Sequence, residues 1–290
     1  MASPPLFGGL AFFFSTTYVV LCKRPGMNSH ADTNMQPALA TPATGVIITG
    51  GASGLGRASA HALAAVGRAV AIWDINASAA LIVAEEIRSQ YAVAAVGIGL
   101  DISVPAAYPD AIDQSRRALT SIGALVHAAG IVDTGSLEGV TLENWDQGIN
   151  IHLRPVALLV QALHADLKAN PGSAVVAFAS INATLGNRMN PIYSAAKGGV
   201  LSLVRSLADR LGDDGIRINS ISPGQILTPM LQPAVDALPP GSFEKRILLG
   251  RMGAPEEIGR VVRFLLSNEA SYITAAEIVV DGGNISSQRG

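Results

Sequence analysis

Residues 46–56 read Val-Ile-Ile-Thr-Gly-Gly-Ala-Ser-Gly-Leu-Gly, an apolar strand followed directly by a glycine-rich turn and the start of a helix. In such a unit, glycines permit a tight turn and a close approach of the backbone to a pyrophosphate. The phosphates then face the helix N-terminus, where N–H groups and the helix dipole favour negative charge. Glycine clusters are common in ordinary turns, so the position after a first strand carries the prediction. We predict a dinucleotide site contacted by Thr49, Gly50, Ser53, Gly54, Leu55 and Gly56.

Apolar runs alternate with helical patterns along residues 44–290, which predicts an α/β fold with a doubly wound parallel sheet and helices on both faces. The predicted strands are 46–49, 69–73, 96–100, 125–127, 174–179, 217–221 and 277–280. Helices are predicted at 56–66, 77–91, 145–167 (kinked at Pro155), 193–211 and 256–266. Because open α/β sheets bind ligands at the carboxyl ends of their strands, we expect the functional site at that edge.

A carboxylate, Asp74, follows the second predicted strand. At this place it can accept hydrogen bonds from both adenine-ribose hydroxyls and would repel a 2'-phosphate. Its alternative role is to cap the next helix. Ser53 and Asn76 bring no positive charge to the usual phosphate-reading points, although Arg57 and Arg68 are near in sequence. We therefore predict NAD as the cofactor in preference to NADP.

A second motif lies in the other half of the chain, where residues 193–197 read Tyr-Ser-Ala-Ala-Lys and Ser180 precedes the tyrosine by thirteen positions. The spacing of four places Tyr193 and Lys197 on one face of a helix. A phenol has a pKa of about 10, and a nearby cation favours the phenolate and lowers that pKa. The pair is therefore a candidate acid/base catalyst. The ordinary alternatives are a core-edge tyrosine, a surface lysine and a capping serine.

Taken in order, these motifs resemble the short-chain dehydrogenase/reductase family over residues 44–290. The resemblance is carried by Thr-Gly-x-x-x-Gly-x-Gly at 49–56, the turn at 127–130, Pro-Gly at 223–224, and Asp74, Asp101, Asn150, Ser180, Tyr193 and Lys197. It implies a single Rossmann-like catalytic domain. One departure is visible: the turn reads His-Ala-Ala-Gly where Asn-Asn-Ala-Gly is common, and we expect His127 to replace the missing amide as a hydrogen-bonding strand residue.

The resemblance also implies a role for each matching residue. Tyr193 would be the general acid in carbonyl reduction and the base in alcohol oxidation, and Ser180 would hydrogen-bond the substrate oxygen. Lys197 would bind the nicotinamide ribose and lower the pKa of Tyr193, and Asn150 would hold a water for proton relay. Asp101 and Ile102 would contact the adenine, a plain strand-end turn being the alternative. Further cofactor contacts are expected from Ala129, Gly130, Pro223, Gly224, Ile226 and Thr228.

We therefore predict an NAD(H)-dependent oxidoreductase that interconverts a secondary alcohol and a ketone by hydride transfer. Apolar residues between positions 227 and 250 favour a small hydrophobic substrate, because this segment is a substrate lid in the family. The alternatives are an NADPH-dependent 3-oxoacyl-thioester reductase, a membrane-anchored enzyme for lipid or steroid substrates, and a non-catalytic cofactor-binding regulator. Family members usually form tetramers through their long helices, so we expect a homotetramer or homodimer.

The remaining sequence features limit the partners and the location. Residues 1–43 are predicted to be a disordered leader and linker, or a weak membrane anchor through the uncharged run at 6–22, which is at the lower length limit for a span. A net charge of -2 gives no support to nucleic-acid binding. The single cysteine, Cys22, excludes an intramolecular disulfide, and the five histidines lack metal-ligand spacing, so we predict no metal site. We expect a cytoplasmic protein whose only membrane contact would come through residues 6–22.

Overall fold

The computed structural model describes residues 35–286. Its seven strands are β1 Gly45–Thr49, β2 Val70–Asp74, β3 Ala95–Gly99, β4 Ile122–His127, β5 Ala174–Phe178, β6 Arg217–Pro223 and β7 Glu277–Val280. They form one sheet in the order β3-β2-β1-β4-β5-β6-β7, and every neighbouring pair is parallel. The chain moves outward from β1 to β3 and then returns to the other side of β1, so the predicted doubly wound sheet is confirmed.

Nine α-helices lie within residues 35–286, and six of them cover the two faces of the sheet. The nine helices are α1 Gly54–Ala64, α2 Ala77–Tyr91, α3 Tyr108–Leu119, α4 Leu142–His152, α5 Arg154–Ala169, α6 Asn182–Leu185, α7 Pro191–Gly212, α8 Gln232–Ala237 and α9 Pro255–Leu265. Successive side chains of a strand point to opposite faces. Ile47 therefore packs under α3, α5 and α7, whereas Val46 and Ile48 pack under α1, α2 and α9.

Prolines explain two differences from the predicted helices. The stretch predicted at 145–167 is two helices that meet at Leu153, because Pro155 has no N–H to donate and lies in the first turn of α5. The helix α3 was not predicted. Pro105 and Pro109 interrupt its sequence, but each lies in the first turn of its helical segment, where proline is tolerated.

A close helix crossing joins two segments that carry predicted site residues. A Cβ at Gly148 in α4 would lie 2.5 Å from the Ile192 Cγ2 in α7, so only glycine fits this crossing without displacement. The helix that carries Asn150 thereby packs against the helix that carries Tyr193 and Lys197.

The end of the predicted linker contacts the folded domain. The Ala38 N–H donates to Glu269 Oε1 at 2.9 Å, and the Thr41 carbonyl accepts from the Asn268 N–H at 2.7 Å. The uncharged run at 6–22 lies outside the described residues. Within residues 35–286, no helix combines the length and the apolar character that a membrane crossing requires.

Candidate active site

The glycine-rich turn between β1 and α1 has the shape that a dinucleotide needs. Gly54 has φ +49, in the left-handed region, and a Cβ at Gly56 would lie 2.1 Å from the Gly50 carbonyl oxygen. The turn also receives a segment from far along the chain, because a Cβ at Gly54 would lie 3.5 Å from the Thr228 Cγ2. Helix α1 begins at this turn with Ser53 as its N-cap, so its first N–H groups are available to phosphate oxygens.

Asp74 is held at the edge of the sheet by two backbone hydrogen bonds. Its Oδ2 accepts from the Ala52 N–H and its Oδ1 from the Asn76 N–H, both at 3.0 Å. The N-cap of α2 is Asn76, whose Oδ1 accepts from the Ala79 N–H. The capping role that was the alternative for Asp74 is thus filled by its neighbour, while the half-buried carboxylate of Asp74 is fixed beside the glycine turn.

The two arginines near this turn in sequence are both engaged elsewhere. Arg57 forms an ion pair with Glu86 at 2.7 Å. Arg68 is buried and donates to the backbone carbonyls of Thr44 and Leu266. The positive charge that a 2'-phosphate requires is therefore committed to other partners at both positions.

At the end of β3, the local geometry is that of a strand-end turn. Asp101 Oδ1 accepts from the N–H and the hydroxyl of Ser103, at 2.8 Å and 2.7 Å. The side chain of Ile102 is buried, and its carbonyl accepts from the Tyr108 hydroxyl. These contacts match the alternative reading of this pair, and an adenine contact stays a prediction.

His127 ties β1, β4 and α4 together inside the protein. Its Nε2 lies 3.0 Å from the Ile151 carbonyl oxygen, which can only accept, so Nε2 carries the proton. Its Nδ1, 2.9 Å from Thr49 Oγ1, then accepts from that hydroxyl. Thr49 Oγ1 in turn accepts from the Ala129 N–H at 3.3 Å. His127 therefore acts as the hydrogen-bonding strand residue that the sequence led us to expect.

Burial keeps this imidazole neutral. Complete burial, with a smaller effect from the charge of Lys197, lowers the pKa of His127 to about 3. In the unfolded chain the pKa is about 6.5, so between these values the unfolded state binds more protons than the folded state. The free energy of unfolding therefore falls as the pH falls through this range.

We expect His127→Asn to reduce this acid sensitivity, because the amide keeps a hydrogen-bonding side chain and does not titrate. Between pH 7 and pH 5 the wild type should lose about 2 kcal/mol more stability than the variant. Urea unfolding at the two pH values measures this difference. Equal losses of stability in the two proteins would contradict the conclusion that the buried, neutral His127 causes the acid sensitivity.

Ser180, Tyr193 and Lys197 meet at the carboxyl end of β5. The Ser180 Oγ accepts from the Asn182 N–H at 3.2 Å, and its side chain lies near enough to the Tyr193 phenol to affect the pKa of that phenol. Lys197 is buried in the next turn of α7, with Nζ 5.6 Å from the centroid of the Tyr193 ring and 2.6 Å from the Phe178 carbonyl oxygen. The structure thus brings the three predicted catalytic side chains together.

The pKa values in this cluster differ in one respect from the expectation. Burial raises the pKa of Tyr193, and the interaction with the Ser180 side chain opposes that effect. Burial also lowers the pKa of Lys197 to about 7, and the ammonium donates to an uncharged partner, the Phe178 carbonyl. We expected Lys197 to lower the pKa of the phenol; among the effects acting here, the lowering comes from Ser180. A protonated phenol suits a general acid.

The segments predicted to lie over the nicotinamide approach the same edge. The Pro223 carbonyl accepts from the Ile181 N–H at 3.2 Å, directly after Ser180. The Gly224 N–H donates to Val280, and the buried Ile226 bridges to Gly253. On the other side, a Cβ at Gly50 would lie 2.7 Å from the Ala129 N, so the turn after β4 packs on the glycine loop.

Three residues of this region were missed by the sequence analysis. His152 lies edge-on to the Tyr193 ring, with centroids 5.2 Å apart and planes at 89°. Asp133 and Asn190 contact the start of α7. A signal existed only for Asn190, because asparagine followed by proline is a typical helix start. Asn150 lies in α4, half-buried, and its role in a water relay stays a prediction.

The chain is similar to several known oxidoreductases. A family model described as enoyl-(acyl carrier protein) reductase matches residues 50–284. Cyclohexanol dehydrogenase from an Acinetobacter species is 36% identical over 241 residues, covering 81% of this chain and 92% of the relative. The 3-alpha-(or 20-beta)-hydroxysteroid dehydrogenase of Mycobacterium tuberculosis is 35% identical over 239 residues, covering 82% and 88%. The crystal structure of L-sorbose reductase from Gluconobacter frateurii, complexed with NADPH and L-sorbose, superposes with a TM-score of 0.78 at 25% identity, covering 85% and 98%.

Proposed function

The chain belongs to the short-chain dehydrogenase/reductase family, and from that premise we propose that it interconverts a secondary alcohol and a ketone with NAD(H), using Tyr193 as the acid/base group. Membership makes it an oxidoreductase that acts on CH–OH groups with a nicotinamide cofactor. The observation that carries the proposal is the cluster of Ser180, Tyr193 and Lys197 at the carboxyl edge of the sheet.

In the proposed mechanism, the cofactor accounts for hydride transfer and the protein side chains account for proton transfer. A bound nicotinamide supplies or accepts the hydride. Ser180 donates a hydrogen bond to the substrate oxygen and holds it next to the phenol. In the reductive direction, Tyr193 gives its proton to that oxygen as negative charge develops there. In the oxidative direction the phenolate takes the proton of the alcohol, which requires a cation nearby to stabilise it.

Lys197 and Asn150 serve the proton supply in this proposal. The pKa of Lys197, about 7, lets the buried ammonium both release and take up a proton near neutral pH. The packing of α4 on α7 at Gly148 keeps the helix of Asn150 beside that of Lys197, which supports a relay from the ammonium through a water held by Asn150.

Replacing the phenol hydroxyl tests the catalytic role directly. We expect Tyr193→Phe to lower turnover of a secondary alcohol by about 10²–10⁴-fold, because general acid–base catalysis contributes that much. Binding of NADH, followed by its fluorescence, should change by less than about threefold. The matched control is Tyr272→Phe, because Tyr272 is fully exposed and should tolerate the change without effect. Full turnover by Tyr193→Phe would contradict the proposed function.

The preference for NAD over NADP is supported by Asp74 and by the engaged arginines. The carboxylate stands fixed beside the glycine turn, while Arg57 pairs with Glu86 and Arg68 is buried. A 2'-phosphate would meet the negative charge of Asp74, while the two nearby arginines are paired or buried. L-sorbose reductase was crystallised with NADPH, so the fold alone does not decide between the cofactors.

We expect Asp74→Asn to reduce the ratio of kcat/KM for NAD over NADP by about tenfold or more, because a like-charge repulsion is removed. The variant keeps an oxygen that can accept from the Ala52 N–H, which limits structural damage. Steady-state kinetics with both cofactors measure the ratio. A wild type that prefers NADPH would instead favour the second candidate, a 3-oxoacyl-thioester reductase; the description of the matching family model also names an enzyme of acyl-carrier thioesters, although one that reduces a C=C bond.

A small hydrophobic alcohol or ketone is the proposed substrate. Exposed apolar side chains come from three segments that follow strands at the carboxyl edge: Val132, Leu137 and Val140 after β4, Leu185 and Met189 after β5, and Leu227, Met230 and Leu238 after β6. The relatives include enzymes named for cyclohexanol and for hydroxysteroids as well as enzymes named for galactose and D-threitol, so the exposed apolar side chains carry the proposal. Turnover on a panel of cyclic and open-chain ketones, with a sugar as the polar comparison, separates the possibilities.

Self-association as a homodimer or homotetramer is also part of the proposal. A groove of about 440 Å³ between α3 and α5 is lined largely by apolar atoms, which supports burial of this face against a second copy: Tyr108, Pro109, Ile112, Leu158 and Ala162. Light scattering after gel filtration gives the mass of the assembly.

A further inference from the structure

The start of helix α7 is capped by a residue from another segment. The first N–H groups of a helix have no partner within the helix, and the N-cap side chain usually accepts from one of them. Asn190 occupies the N-cap position of α7, but its side chain makes no capping hydrogen bond. The N–H groups that need an acceptor from outside the helix are those of Ile192 and Tyr193, because Pro191 has no N–H group.

Asp133 supplies the missing acceptors from the loop after β4. Its Oδ1 accepts from the Tyr193 N–H at 2.8 Å, and its Oδ2 lies 3.3 Å from the Ile192 N. The carboxylate also stands at the positive end of a 22-residue helix, where negative charge is favourable. Asp133 therefore holds the backbone of the same residue whose side chain is the proposed acid.

The contact is reciprocal and extends along both segments. The Asn190 Nδ2 donates to the Asp133 carbonyl oxygen. Ser136 adds two further bonds, from its N–H to the Met189 carbonyl at 3.3 Å and from its hydroxyl to the Arg188 carbonyl at 3.1 Å. The loop after β4 and the start of α7 are thus joined as one unit.

A second tether from the same loop reaches the Tyr193 ring. The Nε2 of His152 lies 2.8 Å from the Ile131 carbonyl oxygen, so His152 is fixed to the residue two positions before Asp133. Its buried ring then meets the phenol ring edge-on at 5.2 Å. Ile131 and Asp133 thereby hold Tyr193 from two directions, one through the ring and one through the backbone.

We propose that Asp133 is a positioning residue for catalysis, which sets the place of Tyr193 relative to Ser180 by capping α7 from the loop after β4. This inference depends on the proposed role of Tyr193 as the acid/base group. Asp133 does not touch the substrate oxygen in this account; it acts through the backbone of Tyr193. Because a small misplacement of a catalytic group reduces the rate more than it reduces binding, the effect belongs in kcat.

The test compares Asp133→Ala with Asp133→Asn in the full chain. We expect Asp133→Ala to lower kcat about tenfold, with KM and the NADH dissociation constant within about twofold of wild type. Asp133→Asn keeps one acceptor oxygen for the Tyr193 N–H. On a logarithmic scale, its kcat should therefore lie at least halfway from the Asp133→Ala value to the wild-type value. Hydrogen exchange followed by mass spectrometry should show faster exchange of residues 187–197 in Asp133→Ala.

The matched control is Glu257→Ala, which removes another carboxylate from the start of a helix. Glu257 accepts from the Ala254 N–H at 2.9 Å at the beginning of α9, a different helix from the one that carries Tyr193. Glu257→Ala should lower the melting temperature as much as Asp133→Ala does, while its kcat stays at the wild-type value.

The experiments distinguish a failure of the proposed function from a failure of the positioning role of Asp133. If Tyr193→Phe turns over like the wild type, the proposed function fails. If Tyr193→Phe is inactive while Asp133→Ala keeps the wild-type kcat, or while Asp133→Ala and Glu257→Ala lose kcat equally, the positioning role of Asp133 is overturned.

Discussion

Parallel neighbours in a sheet can be joined only by a crossover that returns the chain to the same starting edge. Because all seven strands here are parallel, every strand delivers its last residue to one edge. Gly50, Asp74, Ala129, Ser180 and Pro223 come from five different strand ends and are far apart in sequence, yet this constraint places all of them along that edge. Two helices then determine which groups lie at this edge. Helix α1 begins there with its N-terminal N–H groups, and α7 carries the side chains of Tyr193 and Lys197.

Burial shifts the pKa values of several ionisable groups behind this edge in the direction that favours their uncharged forms. Burial lowers the pKa of His127 to about 3 and that of His152 well below its usual range, and it lowers the pKa of Lys197 to about 7. Burial also raises the pKa of Tyr193. The physical cause is the same in each case, since a buried charge loses its hydration. A proton is therefore held on the phenol and only loosely on the lysine, which is the distribution needed to donate a proton to a developing oxyanion.

Much of this arrangement could be predicted from the sequence, and the parts that could not have a common reason. Buried parallel strands are continuous apolar runs, so all seven were located within about three residues, and the Tyr-x-x-x-Lys spacing placed two side chains on one helix face. The helix α3 was missed because two prolines obscured its pattern. The capping of α7 by Asp133 could not be predicted, because Asp133 lies 60 positions before Tyr193 and the local signal, Asn190 followed by Pro191, indicates Asn190 as the capping residue. Local sequence patterns predict strands and helices. Contacts between segments that are far apart in sequence become visible only in the folded structure.

The link between the loop after β4 and α7 has a consequence for how such an enzyme could change its substrate. Val132, Leu137 and Val140 belong to the loop that Asp133 and Ser136 fasten to the start of α7, and Met189 lies in the partner segment. A substitution that reshapes this apolar wall therefore moves the anchor of Tyr193 as well. Changes in substrate preference made on this loop should alter kcat together with KM, whereas changes at Met230 or Leu238, which lie farther along the segment after β6, can alter KM alone. Specificity can thus vary on that later part of the segment without moving the anchor of Tyr193.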